Sequence, residues 1–315
     1  MRGKDFVEKW LQARDDENLA PHLLLVGRTG SGKTTAAKHI VERAKEYYAE
    51  ICILDWDAEY GALALPKYEP PFLCAAGVQL VADSVAEIER VEGGGHATAY
   101  FVRRALEEAE RATRATPISS TNLLLKAAEK LRARAVEIVS YSLRAALDAA
   151  AMRLEELAPY IEVQTVMHAT PGLARGVYSL YKVFSIWQRS AIRQFLAAFH
   201  VVARRSALVA YEEEPANFDP PDPSILVIEE GSVGATTTYL LHLLTEARKA
   251  LTRVIIISQK LPEPEILQNC EILLFDTSPA VRRALYAAIP GSRLRVGEAW
   301  WVRRDGEAKR IDFRS

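Results

Sequence analysis

The sequence predicts an α/β protein: a parallel, helix-covered sheet around a phosphate-binding loop, with a large helical insertion and a C-terminal β-hairpin. Three observations predict it. Short apolar runs alternate with helix-sized segments, the pattern of a parallel sheet with helices on its faces. A glycine-rich turn joins the first run to the helix that follows, the place where nucleotide phosphates are held. Between about Asp83 and Tyr211 the runs stop, and Ala, Leu and Arg recur at helical spacing. The core is therefore expected from residues 1–82 and 212–315, with 83–211 as an inserted all-helical subdomain.

Each element has its own signal. Phe6, Val7, Trp10 and Leu11 share one face of a short amphipathic helix that ends before Pro21. His22 to Gly27 (HLLLVG) reads as a buried strand, followed by a helix from about Lys33 to Ala49. Glu50 to Leu54, Ser224 to Ile228, Arg253 to Ile257 and Glu271 to Phe275 repeat the strand pattern. Leu124, Ala128, Leu131, Ala135 and Ile138, then Val139, Leu143, Ala146, Ala150, Leu154 and Leu157, keep 3-and-4 spacing, so one long helix is expected from Asn122 to Leu157. Ala299 to Val302 and Arg310 to Phe313 flank Arg304-Asp305-Gly306, a hairpin signal.

Composition narrows the function. With 315 residues, 49% of them hydrophobic and 26% charged, the chain has ample material for a core. Forty Lys and Arg against 41 Asp and Glu exclude a globally basic nucleic-acid coat, so an anionic partner must be met locally. The cysteines, Cys52, Cys74 and Cys270, are far apart and form no CxxC, which supports neither a disulfide framework nor a zinc ribbon and suits a reducing cytoplasm. The N-terminus carries charge every few residues, unlike a signal peptide, and no stretch has the apolar length of a membrane span. A soluble cytoplasmic protein is expected.

The chemistry starts at Gly27-Arg28-Thr29-Gly30-Ser31-Gly32-Lys33-Thr34, which matches the GxxxxGK-Ser/Thr loop between strand and helix. Its glycines let backbone N–H groups wrap phosphates, Lys33 reaches the β- and γ-phosphates, and Thr34 offers a hydroxyl to Mg²⁺. The candidate nucleotide contacts are Gly27, Thr29, Gly30, Ser31, Gly32, Lys33, Thr34 and Thr35. The strand at Ile225 to Ile228 ends in Glu229-Glu230, the form of a Walker B element, in which Glu229 holds the Mg²⁺ shell and Glu230 polarises the attacking water. Gln259, at the carboxyl end of the Arg253 strand, falls in the crevice where open α/β sheets bind ligands and is a candidate sensor that orients water. Asp55-Trp56-Asp57-Ala58-Glu59-Tyr60 ends the second strand; its acids either serve the nucleotide and metal, with Asp55 and Glu59 as candidates, or form an acidic surface loop.

GRTGSGKT, LDWDAEY, VIEEGS, TEARKA and ISQ, in this order, together with the ending GEAWW, resemble the HerA/FtsK superfamily of hexameric DNA-pumping ATPases, which includes ATPases and coupling proteins of type IV secretion. The resemblance covers residues 22–61 and about 222–303. It implies a RecA-like core, ATP and Mg²⁺ as cofactors, a homo-oligomeric ring, and an arginine finger entering the neighbouring ATP site. Arg248 in TEARKA falls at that finger's place, with Lys249 as competitor; read alone, Arg248 is a cation at a helix C-terminus. With roughly 20 residues ahead of the first strand, no N-terminal barrel of the HerA kind is expected.

From Val163 to Ala210 there is no Asp or Glu, while Arg175, Lys182, Arg189, Arg193, Arg204 and Arg205 alternate with aromatics. This suits a nucleic-acid groove, with the loop from His168 to Gly176 exposed. The alternative is a helical bundle with core aromatics, whose arginines pair with acids such as Glu107, Glu108 and Glu110. The leading functional expectation is a hexameric ATP-driven translocase of double-stranded DNA, in the cytoplasm or associated with membrane-bound transfer machinery. A type IV secretion or pilus-assembly ATPase that moves protein is the second, and a nucleotide switch that barely hydrolyses ATP the third.

Overall fold

The computed structural model describes residues 1–12, 20–75, 78–92, 95–113, 121–164, 173–231, 235–275, 285, 294–303 and 307–314. The chain opens with α1 (Gly3–Gln12), β1 (His22–Val26), α2 (Lys33–Ala44) and β2 (Glu50–Asp55), followed by the short strands β3 (Lys67–Tyr68) and β4 (Phe72–Ala75). The helices α3 (Val78–Val91), α4 (Gly95–Thr113), α5 (Thr121–Glu137) and α6 (Tyr141–Leu157) come next, then β5 (Ile161–Gln164), β6 (Gly176–Ser179) and the long α7 (Ile186–Glu213). The core resumes with β7 (Ser224–Ile228), α8 (Thr237–Lys249), β8 (Thr252–Ser258), α9 (Pro264–Leu267) and β9 (Cys270–Leu274), and ends in β10 (Glu298–Val302) and β11 (Ala308–Asp312).

The main sheet runs β11-β10-β9-β1-β8-β7-β2-β6-β3, parallel from β9 to β3, with the antiparallel β10–β11 hairpin on one edge. Alternation along each strand divides its side chains between two cores. Leu23, Leu25, Ile51, Ile53, Ile225, Val227, Ile255 and Ile257 face α1 and α2. Leu24, Val26, Cys52, Leu54, Leu226, Ile228, Val254 and Ile256 face the helices of the insertion and α8. Burial on both faces explains why the strands read as continuous apolar runs. The amphipathic first helix and the C-terminal hairpin are where the sequence places them, and the helix after the phosphate loop ends at Ala44 rather than Ala49, because the chain turns there with Tyr48 N–H bonded to Ala44 C=O at 2.9 Å.

Two expectations are corrected. Residues 83–211 are not all-helical: β6 lies in the main sheet, parallel to both β2 and β3, and β5 pairs with β4. These strands have four residues each, and Gly-Val-Tyr-Ser carries no apolar run, so only pairing with an existing strand edge makes them strands. The helix expected from Asn122 to Leu157 is two helices, broken at residues 138–140. The break lets the apolar faces of α5 and α6 pack against each other, leaves Val139 95% exposed at the bend, and is closed by Arg144, whose guanidinium donates to Ile138 C=O at 2.7 Å. Among the described residues no helix is long and apolar enough to cross a membrane.

Candidate active site

The carboxyl ends of β1, β2, β7 and β8 converge on one edge of the sheet, so every motif that follows a strand is delivered to the same place. The phosphate loop leaves β1 with Gly27 N–H bonded to Ser258 C=O at 3.2 Å; a Cβ on Gly27 would stand 2.7 Å from Phe275 Cβ. Gly30 and Gly32 adopt φ of +77° and +101°, a backbone conformation that glycine enters without steric cost and that lets the loop turn tightly. The last loop residues lie against the entry to β10: Gly297 N–H bonds Ser31 C=O at 3.2 Å, and a Cβ on Gly32 would come within 2.6 Å of Gly297 N.

Lys33, the first residue of α2, is only 7% exposed, and its Nζ donates to Arg28 C=O at 3.0 Å. Burial lowers its pKa, against the pull of Glu230, Glu59 and Glu229. Thr34 Oγ1 donates to Glu229 Oε1 at 3.4 Å, and Glu229 Oε2 accepts from Trp56 N–H at 3.1 Å. Burial, together with Asp55 and Glu59 nearby, raises the Glu229 carboxyl well above the ordinary carboxylate range. Glu230 stands in the left-handed region at φ +49°, a conformation that costs a non-glycine residue roughly 1–3 kcal/mol. Its Oε1 accepts from Gln259 Nε2 at 2.8 Å.

These residues line a cleft of about 210 Å³, with Thr29, Gly30, Gly32, Lys33, Thr34 and Thr35 on one wall and Asp57, Glu59, Glu229, Glu230 and Gln259 on the others. A larger cavity of about 460 Å³ lies between α3, α7 and α8, and no residue of the phosphate loop, the acid pair or Gln259 lines it. The small polar cleft is the chemical site, because it gathers the phosphate loop, the acid pair and the strand-end amide.

The cleft fits a metal–nucleotide. Ser31 Oγ is buried without a hydrogen-bond partner, as an atom awaiting a ligand would be, and the hydroxyl and carboxylate oxygens of Thr34 and Glu229 are hard donors side by side.

Two groups of expected residues are placed differently from the sequence reading. Asp55 is buried beneath the cleft rather than on its wall; its two oxygens accept from Glu59 N–H at 3.0 Å and Tyr60 N–H at 3.2 Å, capping the turn that presents Glu59. Asp57 lines the cleft instead. The acid-free segment is no open basic groove. Arg193 and Arg204 are 2% and 1% exposed; Arg204 pairs with Glu50, Arg205 with Glu246, Lys182 with Glu69, and Arg189 lies 3.7 Å from Asp57. The bundle alternative is nearer, but with these acids as partners; Glu108 serves Arg104, Lys130 and Arg134. Arg175 lies at the start of β6, partly exposed, and residues 168–172 of the expected loop fall outside the described residues.

Arg248 is exposed at the end of α8, one strand length from the cleft. The seven residues of β8 separate the end of the helix from Gln259, roughly 20 Å along the sheet, so it cannot complete the site of its own chain. Lys249 is held by Glu246 at 2.7 Å. The reading of the sequence gave no sign of Val296 on the cleft wall, since nothing local marks it; only the packing of Gly297 on the phosphate loop brings it there.

The sequence matches the family described as Helicase HerA, central domain, over residues 14–171, half of the chain. The chain belongs to this family. It thereby joins the ATPase motors of the HerA/FtsK superfamily. No curated protein matches the sequence. Among solved structures it is similar to VirB4 of Thermoanaerobacter pseudethanolicus, at a TM-score of 0.55 and 14% identity over 93% of this chain and 89% of that one. The plasmid coupling protein TrwB in complex with the ATP analogue ADPNP gives 0.58 and 16% over 98% and 84%, and TrwB in complex with ADP and Mg²⁺ gives 0.53 and 16% over 92% and 77%. At these identities the likeness is one of fold: the HerA-family chain has the RecA-like architecture of those ATPases.

Proposed function

We propose that the protein is an ATP-hydrolysing ring motor, with Mg²⁺ as cofactor, that translocates double-stranded DNA. The observation that carries the hydrolytic part is the meeting, in one cleft, of the phosphate loop with Glu229 and with the Glu230–Gln259 pair. Thr29, Gly30 and Gly32 supply backbone donors to the phosphates, Gly27 and Ser31, whose N–H groups bond Ser258 and Arg28 C=O, shape the loop, and Lys33 adds a cation at the β/γ end. Thr34 and Glu229 would hold Mg²⁺, which neutralises charge developing on the phosphate oxygens when bound. Glu230 takes the proton of the attacking water, and Gln259, hydrogen-bonded to it, fixes the water's direction.

Arg248 belongs to the neighbouring site in this reading, since its own is a strand length away. A head-to-tail contact of that kind repeats and closes into a ring, a hexamer by likeness to the superfamily. DNA as substrate is supported by the helicase family to which the chain belongs. A second reading, a motor for protein secretion in the cytoplasm or at a membrane-bound machine, is favoured by one observation: four of the six cations expected to face DNA, Arg204, Arg205, Arg189 and Lys182, are paired with Glu50, Glu246, Asp57 and Glu69. ATPase rates with and without double-stranded DNA, alongside the mass of the assembly with nucleotide, separate the two. Stimulation by DNA supports the first, and turnover indifferent to DNA supports the second.

A further inference from the structure

The acid pair sits on a backbone that one buried arginine holds. After β7 the chain leaves the ladder in three residues. Glu229 N–H is still bonded to Leu54 C=O of β2 at 3.3 Å, whereas Gly231 N–H is bonded to Ile257 C=O of β8 at 3.0 Å. Between these anchors Glu230 takes its left-handed turn. There is no room to relax it toward β8, since a Cβ on Gly231 would come within 2.5 Å of Ile256 Cγ2. The turn aims the Glu230 carboxylate at Gln259 and the cleft, and it points the carbonyls of Glu229 and Glu230 into the protein. Carbonyls buried there need donors.

Arg193 Nη1 supplies them, donating to Glu229 C=O at 3.1 Å and to Glu230 C=O. The side chain comes from the third turn of α7, and its guanidinium lies 4.8 Å from the centroid of the Trp56 ring, with Arg189 at 5.0 Å from the same ring. Trp56 in turn gives its N–H to Glu229 Oε2. The arginine thus touches the acid pair from below by two routes, directly through the carbonyls and through Trp56, whose ring it faces and whose backbone N–H binds the Glu229 carboxylate. Burial pulls the guanidinium down to about 10, which leaves it charged at neutral pH. A charged guanidinium is costly to bury, and the two carbonyl dipoles and the ring face help to compensate it.

We infer that Arg193 is a positioning residue for hydrolysis: by binding both carbonyls of the acid pair it holds Glu230 in the left-handed turn that presents its carboxylate to Gln259 and the cleft. The inference rests on the ATPase reading of the cleft, and it replaces the DNA-contact role that the sequence suggests for this residue. Arg193 reaches neither solvent nor the cleft wall, so its effect is felt through geometry alone.

The test uses Arg193→Met, which keeps volume and removes the donors, and Arg193→Lys, which keeps a cation able to reach one carbonyl. Loss of an outer partner of this kind lowers activity roughly 10- to 100-fold. For Arg193→Met that fall is expected in kcat, with KM for ATP and the affinity for a non-hydrolysable analogue little changed, and Arg193→Lys is expected to recover part of it. Unchanged kcat, or a loss of kcat and nucleotide affinity together that follows a fall in Tm, overturns the inference in favour of a purely structural role. A crystal structure of the nucleotide-free Arg193→Met variant, or of Arg193→Lys if the former does not fold, decides independently of turnover. Glu230 leaving the left-handed region and parting from Gln259 is expected, and Glu230 unmoved overturns it. If the wild-type protein turns over no ATP, the ATPase reading fails, while the crystal structure still decides what Arg193 holds.

Discussion

Thr34 Oγ1 lies 3.4 Å from Glu229 Oε1, although 195 positions separate the two residues in the chain. The pair exists because β1 and β7 end on the same edge of the sheet with only β8 between them, so a hydroxyl at the head of one helix faces a carboxylate at the end of another strand. Glu229→Gln therefore weakens nucleotide binding in Mg²⁺ but leaves binding in excess EDTA nearly unchanged. Titration of a fluorescent ATP analogue with and without the metal measures the difference, and equal losses in both would remove Glu229 from the metal shell.

Lys33→Ala and Glu230→Gln should fail in different ways. The first removes the cation at the phosphates, so both binding and hydrolysis are lost. The second leaves the phosphate loop intact and removes only the proton acceptor, so ATP stays bound and turnover falls by about 10²–10⁴-fold. Near wild-type turnover in Glu230→Gln would refute its role.

Arg248 lies a strand length from its own cleft, which makes subunit mixing informative. Arg248→Ala and Glu230→Gln proteins, each inactive alone, should regain partial activity when co-assembled, because some interfaces then join an intact Glu230 to an intact Arg248. No recovery in assemblies shown to be mixed would transfer the finger to another residue or to no residue.

Arg204→Ala should act on folding rather than on DNA. Its guanidinium is 1% exposed against Glu50, whose carboxyl is raised by burial and held down by Arg204. Removing one partner of a buried pair costs about 3–5 kcal/mol, and the lower end is expected because Glu50 keeps a quarter of its exposure. Chemical denaturation measures it. Arg175→Ala should leave stability unchanged; if Arg175 touches a DNA phosphate, the slope of log affinity against log salt falls by about 0.9.

His200 predicts a stability gradient in acid. It is fully buried on α7, with Nε2 3.1 Å from Ser224 Oγ, and burial, reinforced by Arg204, lowers its pKa to about 3. The unfolded chain takes up a proton near pH 6.5 and the folded chain does not, so the neutral ring's contribution is complete above about pH 6.5 and shrinks as pH falls toward 3, by up to about 1.4 kcal/mol per pH unit. His200→Gln should flatten that part of the denaturation profile. An unchanged gradient would mean that other groups produce it.

The sequence by itself determined what is local. The strands at His22, Glu50, Ser224, Arg253 and Glu271 announce themselves because burial on both faces demands an unbroken apolar run, and the phosphate loop because its glycines answer a steric need within eight residues. Glu229, Glu230 and Gln259 were legible as strand-end residues, since in a parallel sheet every strand end points to the same edge. Only the tertiary structure decided what depends on distant partners. β6 is a strand because β2 offers it an edge, and the helix expected through Val139 breaks because its two halves gain more by packing on each other. An arginine in sequence reads as a cation for solvent or DNA. Whether it is Arg175, at the surface, or Arg193, beneath the acid pair, is set by which carbonyls, rings and carboxylates the fold brings within reach of a side chain long enough to cross between elements.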